Sequence, residues 1–144
     1  MIASWPKKIK TNTTSDHISA FWDVLPTLCD VAGKPIPEAT DGISFLPELL
    51  GTDTQKSHEF LYWEFPAYGG QQAVRMKQWK GIRKDIFKGN KRIELYDLQA
   101  DPREQNNIAS KNPDIVSKIE QIMDDQHKEP AVKSFRIKSL GDTI

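Results

Sequence analysis

The stretch His58-Glu59-Phe60-Leu61-Tyr62-Trp63-Glu64-Phe65, continued by Gln72-Ala73-Val74-Arg75-Met76, by Trp79 to Phe87 and by Ile93-Glu94-Leu95-Tyr96-Asp97-Leu98, decides the fold class. Each run is rich in aromatic and β-branched residues, has the length of a strand, and is bounded by turn-forming residues. Pro66-Ala67-Tyr68-Gly69-Gly70 reads as a loop, Lys77-Gln78 as a tight reversal, and Lys88-Gly89-Asn90-Lys91 as a polar hairpin turn. Consecutive hairpins make an antiparallel meander of about four strands.

Downstream, Asp101-Pro102-Arg103-Glu104 turns the chain, and Asn112-Pro113 opens a helix with the apolar stripe Ile115, Val116, Ile119, Ile122 and Met123. One face of the sheet would be closed by that stripe. From about Glu129 onward the residues are polar and basic, so weak order or a docked strand is expected there. Upstream, Ile18, Phe21, Trp22, Leu25, Leu28, Cys29 and Ala32 recur at helical spacing and predict a helix from Ser15 to Ala32. Ser15 or Asp16 would cap it, Pro26 would kink or restart it, and Gly33 with Pro35 would end it. Asp41 to Gly51 reads as a loop carrying a one- or two-turn helix. The resulting class is α+β: an N-terminal helix, a four-stranded antiparallel sheet, and a C-terminal helix packed on one face.

Composition excludes several functions. Among 144 residues, Lys plus Arg and Asp plus Glu stand at 20 each, so no global charge draws the chain to nucleic acid or to an anionic membrane. Cys29 is the only cysteine, which removes an internal disulfide and a multi-cysteine zinc site. No apolar run approaches the roughly 20 residues that span a bilayer, and the chain reads as soluble. The opening, Trp5-Pro6 before Lys7-Lys8-Ile9-Lys10, looks like a strand edge entering a loop, as in a truncated chain that structure once preceded.

Four segments, in order, resemble the C-terminal portion of the arylsulfatase-type family of the alkaline phosphatase superfamily. Ser4-Trp5-Pro6 with Thr13 to Ile18, Asp23-Val24-Leu25-Pro26-Thr27-Leu28 and Ala32-Gly33 is similar to the family's strand, loop and D-x-x-P-T-L helix. Asp41-Gly42-Ile43-Ser44-Phe45-Leu46 with Leu49-Leu50-Gly51 resembles its D-G-x-S-L-x-P-x-L segment. Tyr62 to Phe65, Gln72 to Met76 and Trp79-Lys80 look like its paired C-terminal strands. Glu94-Leu95-Tyr96-Asp97-Leu98, Asp101-Pro102, Glu104 and Asn106 to Ala109 resemble its closing strand and turn.

The resemblance implies that residues 1–52 end a sulfatase catalytic domain, that 53–130 form the C-terminal sheet subdomain, and that 131–144 are a tail. It implies a parent that hydrolyses sulfate esters of carbohydrate, glycan-directed enzymes being frequent among members with such a segment, and that works in the periplasm, outside the cell or in the lysosome. The parent would use calcium and a formylglycine nucleophile. That nucleophile arises within a C/S-x-P-S/A-x-R signature, which this sequence lacks: Cys29 precedes Asp30-Val31, and Ser4-Trp5-Pro6-Lys7 misses the remaining residues. No catalytic, metal-binding or cofactor-binding residue is therefore carried over, and no hydrolysis by this chain alone is expected. Its implied partners are the missing catalytic domain and a sulfated glycan. A phosphodiesterase or phosphonate hydrolase parent stays open.

The residues best suited to touch substrate lie around the first hairpin. Glu64, Tyr68, Gln71, Gln72 and Arg75 supply a carboxylate, a stacking ring, amides and a guanidinium, which suit sugar hydroxyls and anionic groups. Against this stands an ordinary hairpin with a Glu64–Arg75 salt bridge. Lys77, Lys80, Arg83, Lys84 and Lys88 form a basic neighbourhood, read either as a solvated strand face or as an attraction for anionic polysaccharide. His58 and His127 stand alone with no partner at metal-ligand spacing, and Asp23 is read as orienting backbone near the kink. Two other functions compete: a stand-alone carbohydrate-binding or interaction module, and a passive fragment that self-associates through the uncovered apolar helix face.

Overall fold

A computed structural model describes residues 1–143, which fall into two compact units, Met1–Glu59 and the residues from Phe60 onward. No helix among the described residues is long and apolar enough to cross a membrane.

In the first unit the helix is shorter than its periodicity suggests. A single 3-10 turn, Phe21–Asp23, leads into α1, Val24–Val31, and residues 15–20 are irregular. Pro26 sets this limit. It has no N–H to give to the Trp22 carbonyl and its ring would strike that group in a continuous helix, whereas the first turn of α1 accepts it. The expected caps at Ser15 and Asp16 are accordingly unused at the helix start. Asp23 occupies the position before α1 without capping it by its side chain, which instead accepts the Ala20 N–H on Oδ2 at 2.6 Å and the Ile43 N–H on Oδ1 at 2.8 Å. Its Oδ1 also lies 2.8 Å from His58 Nε2, so His58 is paired and not solitary. Thr27 Oγ1 donates to the Asp23 carbonyl and accepts the Phe45 N–H, at 2.7 and 3.0 Å. Asp23, Pro26 and Thr27 thus bind α1 to the following loop, and Gly42 lets that loop come close: a Cβ there would lie 2.3 Å from the Trp22 carbonyl oxygen. Gly33 ends α1 in the left-handed conformation, and α2, Leu46–Leu50, is the anticipated short helix. Phe21 in the 3-10 turn and Leu25, Leu28 and Val31 along α1 remain exposed.

The second unit is the expected meander. β1 (Leu61–Phe65), β2 (Gln71–Met76), β3 (Trp79–Lys84) and β4 (Ile93–Asp97) are antiparallel in the order β1-β2-β3-β4. Register puts Tyr62 opposite Val74, Val74 opposite Gly81 and Gly81 opposite Leu95. These positions share one face, and α3, Pro113–Gln126, packs its Ile119 and Met123 on it to form a core with Val74, Ile93 and Leu95. Gly81 is where α3 comes nearest, since a Cβ on it would stand 2.6 Å from Ile119 Cγ2. The free edge of β4 is covered by the downstream turn: Asn107 Oδ1 accepts the Leu95 N–H at 3.1 Å, and the Ile108 N–H donates to the Leu95 carbonyl at 2.9 Å. Asp101 Oδ2 shapes that turn by accepting the N–H groups of Gln105 and Asn106.

Two sequence expectations change here. β3 stops at Lys84 instead of reaching Phe87, because Asp85 takes a left-handed φ of +55° and starts a 3-10 turn, Ile86–Lys88, that buries Ile86. The tail is docked but forms no strand; it makes 3-10 turns at Lys133–Phe135 and Lys138–Leu140 and buries Ile137 completely. An isoleucine set between Arg136 and Lys138 in an irregular tail gives no period by which a sequence could reveal this.

Candidate functional site

The loop 66–70 joins β1 to β2; Glu64, Tyr68, Gln71 and Gln72 lie at or next to it, whereas Arg75 stands at the far end of β2, opposite Leu61. Glu64 stands opposite Gln72 on the face that α3 covers, while Gln71 and Arg75, at alternate positions of β2, belong to the other face. Tyr68 is at the loop tip, 83% exposed, with a positive φ and its ring 6.1 Å from that of Phe65. Gly69 and Gly70 follow, both with positive φ. The Glu64–Arg75 bridge of the ordinary-hairpin reading does not form, since Arg75 pairs across the strands with Leu61 and its Nε approaches the Lys77 carbonyl at 3.5 Å. Gln71, Arg75 and Tyr68 are thus the accessible members, and Glu64 and Gln72 are engaged beneath.

What engages them is a chain of polar groups along one edge of the core. Arg83, 1% exposed, donates from one terminal nitrogen to Gln72 Oε1 at 3.0 Å and from the other to Glu120 at 3.1 Å. Gln72 Nε2 donates to the Tyr62 hydroxyl at 2.9 Å and to Glu64 Oε2 at 3.2 Å. The Tyr62 hydroxyl donates to that same Glu64 oxygen. Burial first, and then the Glu64 carboxylate, push the Tyr62 phenol well above its ordinary 10.0.

The chain ends on a histidine that spacing alone had left without a partner. His127 Nδ1 lies 2.9 Å from Glu64 Oε2, and its Nε2 lies 2.8 Å from Asp142 Oδ1. Burial pulls its pKa down, but the hydrogen bonds and charges of Glu64 and Asp142 outweigh that and hold it above the ordinary 6.5. Burial raises Asp142, yet the Ile137 N–H, His127 and Arg136 together bring it below its ordinary 3.8. Sequence offered one sign of this network: Gln72 and Arg83 are polar at positions whose strand neighbours, Val74 and Gly81, are buried.

The basic neighbourhood is likewise dispersed. The pleat sends Arg83 inward under α3, and Lys80, Lys84 and Lys88 are paired with Glu104, Glu94 and Asp85 at 2.6, 2.6 and 2.9 Å. Nor do the carboxylates suit the calcium implied by the resemblance. Among the described residues no three His, Cys, Asp or Glu side chains converge on a cation position. Asp23, Glu64 and Asp142 already point their oxygens at N–H and O–H donors, whose positive ends would repel a cation.

This antiparallel meander closed by one helix, with its exposed hairpin loop, matches the C-terminal subdomain of sulfatases. The chain belongs to the family described as N-sulphoglucosamine sulphohydrolase, C-terminal, which matches residues 1–129. It is similar to an ulvan-active sulfatase of Formosa agariphila, 34% identical over an alignment of 160 positions, gaps included, that spans 86% of this chain and 31% of that protein. It is also similar to an N-acetylglucosamine-6-O-sulfatase of Bacteroides thetaiotaomicron, 37% identical over 122 residues, 77% of this chain and 21% of that one. Among solved structures it resembles a protein in complex with its substrate D-glucosamine-2-N,6-O-disulfate, with a TM-score of 0.71 and 27% identity over 91% of this chain and 27% of that chain. The chain therefore spans less than a third of the relatives it matches.

Proposed function

We infer that this chain serves a sulfatase acting on sulfated carbohydrate, in which its β1–β2 loop forms part of the substrate pocket while nucleophile and calcium come from the rest of the enzyme. The observation that carries this reading is the exposed Tyr68 at the loop tip with Gln71 at the loop's edge, and Arg75 further along β2 on the same face as Gln71. Tyr68 offers a ring for a sugar face, and Gln71 and Arg75 offer an amide and a guanidinium for hydroxyl and sulfate oxygens. Gly69 and Gly70 allow a ligand to approach backbone closely. Similarity to sulfatases named for ulvan and for N-acetylglucosamine 6-O-sulfate supports carbohydrate over a small aryl ester. By itself the chain turns nothing over, because its sequence lacks the formylglycine signature and its described residues form no oxygen cage for a divalent cation.

The test has two arms. Purified chain with calcium should release no sulfate from 4-nitrophenyl sulfate or from sulfated glucosamine above the buffer rate; turnover would refute the inactive reading. In NMR titration with N-acetylglucosamine 6-sulfate, amide shifts should centre on residues 66–72 and weaken at least fivefold in Tyr68→Ala. Shifts elsewhere, or none, would refute the pocket assignment. A second reading, a self-standing carbohydrate-binding module, draws on the closed core of Val74, Ile93, Leu95, Ile119 and Met123. Binding in the isolated chain below about 1 mM would favour it, because a pocket wall alone buries little of a sugar.

A further inference from the structure

After α3 the chain returns along the sheet unit as a strap, residues 128–143, nearly all of which follows the family-matched residues 1–129. Three anchors hold it. Ile137 is fully buried, with its Cδ1 3.5 Å from the position a Cβ would take on Gly70, beside Ile86. Ser139 Oγ donates to the Ile86 carbonyl at 2.5 Å. Asp142, 7% exposed, accepts the Ile137 N–H on Oδ2 at 2.6 Å and meets His127 on Oδ1. Gly70 closes the β1–β2 loop, and the N–H groups of Ile86 and Phe87 donate to the carbonyls of Gly70 and Gly69. The strap therefore presses on the residues that set the shape of the loop.

The His127 contacts need a proton. Both ring nitrogens face carboxylate oxygens, and an ionised carboxylate only accepts hydrogen bonds. A neutral imidazole has one N–H and can satisfy one of the two; the other nitrogen then turns a lone pair toward an oxygen. Neither carboxylate is placed to supply the proton instead. Glu64 Oε2 already receives the Tyr62 O–H and a Gln72 N–H, and Asp142 receives the Ile137 N–H and lies near Arg136. The charged and titratable groups facing the ring are thus Glu64 and Tyr62 from β1, Arg83 of β3 acting through Gln72, and Asp142 of the strap. Asp142 has Arg136 behind it, and Arg136 is paired with Glu129 at 3.0 Å.

We propose that His127 is a pH-operated latch: its imidazolium ties Asp142 to Glu64 and so holds the strap against Gly70, and loss of the proton frees the strap and slackens the β1–β2 loop. Any effect on substrate rests on the pocket reading above; the latch itself does not. The sign follows from which state binds the proton. A histidine whose pKa is raised in the latched state stabilises it fully below the unlatched value, ordinarily 6.5, and that contribution fades as pH rises through the latched value. Asp142 acts at the other end: its depressed pKa stabilises the latch above the ordinary 3.8, and this is lost as pH falls through the latched value. The strap is held across weakly acidic pH and opens as the medium becomes alkaline.

The experiment is hydrogen exchange of the unaltered 144-residue chain between pH 5.5 and 8.5, corrected for intrinsic rates, with no ligand present. Protection of the strap amides Ile137 and Leu140 should fall about tenfold, the scale of one charge-assisted hydrogen bond, while that of Met123 in α3 stays constant. In His127→Gln the strap should be weakly protected at all pH values, with no transition. A wild-type strap that ignores pH, or a variant that keeps the transition, overturns the latch. Should His127→Gln fail to fold, the His127 ring followed by NMR in the unaltered chain decides: its midpoint coincides with that of strap release, or the proposal fails. Because the readout needs no sugar, loss of glycan binding cannot be mistaken for loss of the latch.

Discussion

Replacing Gly81 by alanine tests how tightly α3 rests on the sheet. Two effects oppose each other. Glycine inside a strand costs about 0.5–1 kcal/mol relative to alanine, and Gly81 has no positive φ to justify it, so backbone entropy alone would make Gly81→Ala stabilising. Against this, the new methyl would stand 2.6 Å from Ile119 Cγ2, 3.0 Å from Ile119 Cδ1 and 3.3 Å from Ile93 Cγ2. Favourable carbon contacts lie at about 3.5–4.0 Å, so Ile119 would have to withdraw by about 1 Å. Ile119 is fully buried and cannot swing into solvent, and overpacking of this kind costs about 1–3 kcal/mol. Steric cost wins, and a net loss of about 1–2 kcal/mol is expected. The measurement is hydrogen exchange at the Val74 and Leu95 amides in mild urea, which reads the sheet unit itself. A double-mutant cycle sharpens it: Ile119→Ala removes the obstructing atoms, so the double variant should recover at least 1 kcal/mol relative to additivity. A Gly81→Ala chain as stable as wild type, or a cycle that is additive, would refute the close-packing argument.

Asp23→Asn should destabilise the first unit by about 2–4 kcal/mol, because the amide cannot accept from Ala20, Ile43 and His58 together and leaves a buried donor unmet; faster exchange at the Ile43 amide is the readout. Arg83→Lys should cost about 1–3 kcal/mol in thermal melts, since an ammonium cannot reproduce the fork that reaches both Gln72 and Glu120. Asn107→Ala should expose the Leu95 N–H and cost about 1–2 kcal/mol, whereas Asn107→Asp, which keeps an acceptor oxygen, should cost under about 0.5 kcal/mol; exchange at Leu95 separates them.

How much of this could be read beforehand follows from the range of each interaction. The meander was legible because every hairpin is local and each strand carries its own boundary signals, as Lys77 does by taking the left-handed turn between Met76 and Trp79. α3 was legible for the same reason, with Pro113 at its start and a regular stripe to Met123. The N-terminal helix was overdrawn because apolar spacing from Ile18 to Ala32 outweighed one proline, although the missing N–H of Pro26 is a stronger constraint than any periodicity. The candidate loop was legible as a place, but not the support beneath it. Glu64 and His127 are 63 positions apart, and Asp142 lies in a polar tail with no pattern, so no spacing rule could join them.

That difference separates what the loop presents from what holds it. Tyr68, Gln71 and Arg75 are accessible on the strength of local sequence, whereas Glu64, Gln72, Arg83, His127 and Asp142 form one connected line in which each acceptor depends on the next donor. A buried line of this kind is rigid while complete and costly once a single donor is lost, because the groups left behind have no water to replace it. Arg83 is its constant end, since a guanidinium stays charged at any pH the protein survives. His127 is its variable end, the one member whose proton comes and goes near neutrality. A loop fixed from both ends is therefore stiff at weakly acidic pH and held from the Arg83 side alone in alkali, so raising the pH should alter the mobility of residues 66–70 far more than that of β2 and β3. Backbone relaxation that changed equally in loop and strands would mean that the line does not govern the loop.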